Sequence, residues 1–112
     1  MQLETRQEGK VFIVTVIEKR LDASTAWKFK DALLRLIRAG NFLIVLDLAG
    51  VDFVDSAGFG AIISCLKQIG KDGNIAIAGA NEHILSVFHL TRMDRIFLVR
   101  RTTAEAVQAL AA

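Results

Sequence analysis

The run Phe42-Leu43-Ile44-Val45-Leu46-Asp47-Leu48 constrains the fold of this chain most, because a nearly unbroken apolar stretch of that length suits a strand covered on both faces. It predicts a central strand. Downstream, Phe59, Ile62, Ile63, Leu66 and Ile69 recur at helical spacing, so the segment from Ser56 to about Lys71 reads as an amphipathic helix packed back on that strand. Between them lies Val51-Asp52-Phe53-Val54-Asp55-Ser56-Ala57-Gly58-Phe59-Gly60, which sets Ser56 at or near the helix N-cap. There its hydroxyl can accept a bond from a free N–H of the first turn. A phosphate on the same oxygen would meet several such donors and the positive end of the helix dipole. The position suits either a cap or a switch.

The rest of the chain alternates in the same way. Leu3 to Gln7 and Val11 to Ile17 read as an antiparallel pair joined near Glu8-Gly9-Lys10. Asp22 is expected to cap a helix whose inner stripe is Ala26, Phe29, Leu33, Leu36 and Ile37 and which ends at Gly40-Asn41. Asn74 to Ala78 predicts a short strand, and Asn81 caps a third helix carrying Ile84, Leu85, Val87 and Phe88. Ile96 to Val99 reads as the last strand, and Thr102 with Glu105 has the spacing of a capping box opening a terminal helix. Strands alternating with helices indicate an α/β fold with right-handed crossovers.

A length of 112 residues with 53% hydrophobic content fits one domain, residues 1–112, with a core of its own. The net charge of +2 is small and the basic residues form no stripe with interleaved aromatics, so direct nucleic-acid binding is not expected. Arg92, Arg95, Arg100 and Arg101 read as a solvated edge. No segment reaches the roughly 18 apolar residues needed to span a bilayer, and the N-terminal residues have no apolar signal core. The single Cys65 fits a reducing compartment, so a cytoplasmic protein with no membrane association is expected. A monomer is favoured, and the sequence does not determine the oligomeric state.

Asp55-Ser56-Ala57-Gly58-Phe59-Gly60 resembles the Asp-Ser-(Ser/Thr/Ala)-Gly-Leu-Gly signature of STAS domains of the anti-sigma factor antagonist (anti-anti-sigma factor) type. Leu21-Asp22, the Asp47-Leu48 strand end and Leu90-Thr91-Arg92-Met93-Asp94-Arg95-Ile96-Phe97 are similar to further family landmarks in the expected order. The resemblance implies a single STAS-like α/β domain with a mixed central β-sheet and about four helices packed mainly on one face. It also implies that Ser56 is phosphorylated by a partner anti-sigma factor that is a serine kinase, that a PPM-type serine phosphatase reverses the mark, and that the domain has no catalysis of its own. Three departures from the pattern stand out: Lys19-Arg20 where many members have Gly and an acidic residue, Phe59 for Leu, and Arg92 where Gly is frequent. Arg92 costs stability if its backbone is left-handed.

Partner contacts are expected from Asp22, Asp55, Ser56, Ala57, Gly58, Phe59 and Gly60. Asp22 and Asp55 are carboxylates that either flank the partner-binding end or cap helices, and Asp52 is a solvated turn residue. Gly58 and Gly60 remove side chains from the first turn, which lets another backbone or a phosphate come close. Phe59 is either core or an exposed anchor beside Ser56, and Trp27 a partly buried helix residue. His83 and His89, six apart, do not share a helix face, so no metal site is expected, and no cofactor is implied. The signature lacks the Gly-x-Ser-x-Gly elbow of serine hydrolases and the Gly-Lys-Ser/Thr ending of a P-loop. The leading expectation is a phosphorylation-switched binding module. Its alternatives are a non-switching STAS accessory or scaffold subunit, as in a stress-signalling or lipid-transport complex, and a nucleotide-binding turn at Gly58/Gly60.

Overall fold

The computed structural model describes residues 2–111. In chain order the elements are β1 (Leu3–Glu8), β2 (Val11–Val16), β3 (Arg20–Leu21), α1 (Ala26–Arg38), β4 (Leu43–Asp47), β5 (Phe53–Val54), α2 (Ser56–Ile69), β6 (Asn74–Ala78), α3 (Glu82–Leu90), β7 (Leu98–Arg100) and α4 (Thr103–Ala111). Five strands form a mixed sheet in the order β1-β2-β4-β6-β7, in which only the β1–β2 hairpin is antiparallel.

β4 occupies the middle of this sheet, as its apolar run requires. Ile44 and Leu46 face the core shared with α1, α2 and α3, while Val45 points the other way, into a smaller core with Ala106 and Leu110 of α4. The run is unbroken because both faces are covered. β6 divides its side chains by size: Ile75 and Ile77 fill the larger core, and Ala76 and Ala78 leave room for α4 to lie close. Three helices on one face and one on the other is the arrangement expected.

Helix boundaries follow local chemistry, with some departures from expectation. α1 begins at Ala26, not at Asp22, and its N-cap position, Thr25, makes no side-chain cap bond. Asp22 instead organises the preceding turn: its backbone oxygen accepts from the N–H groups of Thr25 and Ala26, and its carboxylate from Ser24. Within α1 the buried stripe includes Leu34, whereas Leu36 is half-buried. Trp27 lies 65% exposed rather than partly buried. The helix ends where Gly40 takes a φ of +102° and the Asn41 side-chain amide donates to the Leu36 carbonyl at 2.8 Å.

Asn81 caps α3, accepting from the Ile84 N–H at 2.9 Å, and the Thr102 hydroxyl accepts from the Glu105 N–H at the start of α4. The last strand is displaced toward the C-terminus because a 3₁₀ turn over Met93–Arg95 takes up chain after α3. Phe97 enters the core and Ile96 stays exposed. Arg92 adopts a left-handed φ of +61°, alone among the non-glycine residues described, so the cost attached to this departure is incurred.

A second, two-stranded parallel sheet, β3–β5, was not legible in the sequence. Arg20 pairs with Phe53 and Leu21 with Val54. A two-stranded ribbon is marginal in water. This one is held because Leu21 and Val54 point into the large core, because Lys19 O accepts from the N–H groups of Asp52 and Phe53, and because Asp55 N–H donates to Leu21 O. The Asn81 amide adds a tie across the fold, donating to Asp52 O at 3.0 Å. This small sheet places Asp22 and the signature side by side.

Candidate functional site

The β3–β5 pair delivers the chain directly into the first turn of α2. Asp55, in extended conformation, is the N-cap residue, and its Oδ1 accepts from the Gly58 N–H at 3.0 Å. Ser56 is therefore the first helical residue and not the cap. Its side chain is exposed and spared from capping. Since Asp55 N–H bonds Leu21 O and Gly58 N–H bonds Asp55, the unpaired donors of this turn are those of Ser56 and Ala57. The cap and the candidate switch are thus adjacent residues, each with its own task.

The two signature glycines differ in role. A Cβ on Gly58 would collide with the carbonyl oxygen of Leu21 and lie 2.8 Å from Val54 Cγ1, so the backbone that approaches closely is the chain's own. Gly58 is buried beneath β3, which removes the structural basis for reading it as part of a nucleotide-binding turn. At Gly60 a Cβ would meet nothing within 4 Å. Gly60 lines a shallow groove between α1 and α2, together with Trp27, Lys30, Ala57, Ala61 and Ser64.

Phe59 is 8% exposed and meets the Phe88 ring edge-on at 5.0 Å; Phe88 in turn meets Phe97 at 5.7 Å. The open alternative at Phe59 resolves to the core. It supports the first turn of α2 from beneath, with Ala57 half-buried beside it. The two glycines cost α2 about 1 kcal/mol each in helix propensity. Burying Phe59, Ile62 and Ile69 offsets this, at roughly 1.5–3 kcal/mol per large side chain.

The outer face of β3–β5 is polar and stacked. The Arg20 guanidinium lies 4.4 Å from the Phe53 ring centroid, and the His83 imidazole is nearly parallel to Phe53, at 11° and 6.3 Å on its centroid. Arg20 Nε also donates to Asp22 Oδ2 at 3.2 Å. The Ser24 hydroxyl and backbone N–H donate to the other Asp22 oxygen, and together these groups, with the Ser24 hydroxyl foremost and Arg20 next, lower the carboxyl pKa to about 2. Asp22 is a fixed anion beside the signature. Sequence reasoning found Asp22 but not the Arg20–Phe53–His83 column, because strands of two residues carry no periodicity; the Lys19-Arg20 departure was the one signal pointing there.

Cys65 and His89 have structural settings of their own. Burial pushes the Cys65 thiol up to about 11, so it stays protonated at neutral pH inside the core. His89 pairs with Asp94 at 3.1 Å, far in role from His83 on its aromatic stack. Among the described residues no three His, Cys, Asp or Glu side chains gather as a metal site, and no helix is long and apolar enough to cross a membrane.

Comparison with known proteins supports the fold and the family. A Thermotoga maritima protein named as an anti-sigma factor antagonist is 31% identical over 98 residues, 86% of this chain and 87% of that protein. The anti-sigma-B factor antagonist of Staphylococcus epidermidis is 29% identical over 84 residues, 74% of this chain and 78% of the relative. A crystal structure of an anti-sigma factor antagonist from Thermotoga maritima superposes with a TM-score of 0.87 at 27% identity, over 98% of this chain and 95% of that one. The STAS domain model matches residues 2–106, and the chain therefore belongs to the STAS domain family.

Proposed function

We propose that this chain is a phosphorylation-switched binding module of the anti-sigma factor antagonist type. Unmodified at Ser56, it docks the α2 end of the molecule onto an anti-sigma factor that is also a serine kinase, and the sigma factor or other regulator held there is released. The observation that carries this reading is the division of labour at the start of α2: Asp55 caps the helix, leaving the Ser56 hydroxyl exposed and uncommitted. The names of the similar proteins support the partner class.

The switch is electrostatic. Phosphate adds about −1.5 to −2 charges beside Asp55 and Asp22. A docked surface that must leave such a charge unpaired loses on the order of 3–5 kcal/mol, a hundredfold or more in affinity. Asp22, Asp55, Ser56, Ala57 and Gly60 form the docking surface, with Gly58 and Phe59 holding it in place from below. A PPM-type serine phosphatase reverses the mark.

Incubation with ATP and candidate switch kinases from the native cell, followed by mass-spectrometric mapping of phosphate, tests the proposal. Modification at Ser56 and loss of kinase binding after modification are expected. A protein that binds the same partner equally well before and after modification, or that is never modified at Ser56, would instead be a non-switching accessory subunit.

A further inference from the structure

Arg20 is a cation set at the edge of the switch with donors to spare. Its bond to Asp22 engages Nε alone, and among the described residues neither terminal guanidinium nitrogen makes a hydrogen bond to the protein. That bond pulls the side chain along β3 toward the strand's C-terminal end, while the Phe53 ring supports it from one side. β3 and β5 are parallel, and Asp55 N–H donates to Leu21 O, so that end is where α2 begins. At about 3.3 Å per residue, Ser56 lies roughly 10 Å along the chain from Phe53, the partner of Arg20 in the ladder. An arginine and a phosphoserine extended toward each other cover that span.

We infer that Arg20 is an internal clamp for phosphorylated Ser56: on modification the guanidinium leaves Asp22 and takes the phosphate. This deepens the function proposed above and rests on Ser56 being the modified residue. The exchange is favoured on three grounds. A phosphate approaching two negative charges, with three acceptor oxygens, matches the planar guanidinium fork better than a single carboxylate oxygen does. Asp22 Oδ1 keeps the Ser24 hydroxyl and N–H when Arg20 departs, and Oδ2, on a side chain 23% exposed, passes to water. The Arg20–Asp22 pair is exposed on the arginine side, at 61% against 23% for Asp22, and pairs open to water contribute little.

The consequence is a two-part switch. Modification would place a clamped phosphate on the docking face and at the same time strip Asp22 of its cation, so the charge the partner meets unpaired is Asp22 together with the part of the phosphate charge that one guanidinium does not offset. Lys19, next in the chain, is exposed and supplies a charge control without the stacked geometry.

Phosphoserine installed at position 56 during translation makes the test independent of any kinase. The second phosphate ionisation, near 6 in an unperturbed phosphoserine, is followed by phosphorus NMR in the intact chain, in Arg20→Gln and in Lys19→Gln. The clamp lowers this pKa, so Arg20→Gln is expected to raise it by about half a unit or more, while Lys19→Gln leaves it near wild type. Equal values in wild type and Arg20→Gln, or equal shifts in both variants, would overturn the clamp. A crystal structure of the unsubstituted phosphoserine protein gives a second reading: guanidinium nitrogens within hydrogen-bond distance of phosphate oxygens are expected, and Arg20 still on Asp22 overturns it. Neither readout depends on the partner, so a failed kinase assay and a failed clamp are told apart.

Discussion

The α-carbon of Gly58 sits directly on the carbonyl oxygen of Leu21, with no space between them for a methyl group. The first turn of α2 is therefore seated on β3 by backbone contact, and the height of Ser56 above the surface is set by that contact. Gly58→Ala gains up to about 1 kcal/mol of helix propensity but forces the turn away from β3, an overpacking cost of typically 1–3 kcal/mol. A net loss of stability is expected in urea denaturation. Gly60→Ala, at a position with open space around its Cβ, should instead raise stability by about 0.5–1 kcal/mol. Equal behaviour of the two variants would contradict the seating of α2 on β3.

Asp22 gives the fold an acid-sensitive element. Its carboxyl is lowered from 3.8 to about 2 by the Ser24 hydroxyl first and Arg20 second. A depressed carboxyl pKa means that the folded state holds the anion more firmly than the unfolded chain does. The stability so contributed is full above pH 4 or so and drains away as pH falls toward 2. The acid limb of the urea midpoint should be flatter in Asp22→Asn than in wild type over that window. Carbon NMR of the carboxyl should also show a larger upward shift in Ser24→Ala than in Arg20→Gln.

Phe59 separates packing from recognition. Buried between α2 and the Phe88 ring, it has no access to a partner, although its place in the signature invites that role. Phe59→Ala should cost about 3–5 kcal/mol. Phe59→Leu, which refills most of the volume but loses the edge-on ring contact, should cost about 1 kcal/mol. At a temperature where the leucine variant is fully folded, its partner affinity should equal that of wild type; a tenfold loss would return Phe59 to the interface.

The large elements were legible because each carried a pattern longer than a turn. The seven-residue apolar run located β4, and the helical spacing from Phe59 to Ile69 located α2. Asn81 and Thr102 announced the starts of α3 and α4, since a short polar side chain before an apolar-periodic stretch has one common use. What escaped was set by contacts distant in sequence. β3 and β5 exist because residues 20–21 and 53–54 meet across the fold, and two residues cannot show alternation. The choice of Asp55 over Ser56 as cap was likewise undecidable from composition, because both residues cap helices well. Trp27 stands out of the core because α1 turns that face to solvent, although its aromatic character suggested partial burial.

That choice of cap leads to a separation of stability from binding at Ser56. Because Asp55 bonds the Gly58 N–H, removing the serine hydroxyl leaves every first-turn bond intact, and Ser56→Ala should lie within about 0.5 kcal/mol of wild type. Ser56→Asp puts a negative charge at the first helical position, where the helix dipole favours it by about 0.3–1 kcal/mol, opposed in part by Asp55. It too should be as stable as wild type by urea denaturation. Partner binding is expected to be retained in Ser56→Ala and weakened at least tenfold in Ser56→Asp when measured by calorimetry against the cognate kinase. An affinity loss that tracked a stability loss would trace the effect to a damaged α2 and not to charge on the docking face. Retained affinity in a stable Ser56→Asp would mean that one negative charge at this position does not operate the switch.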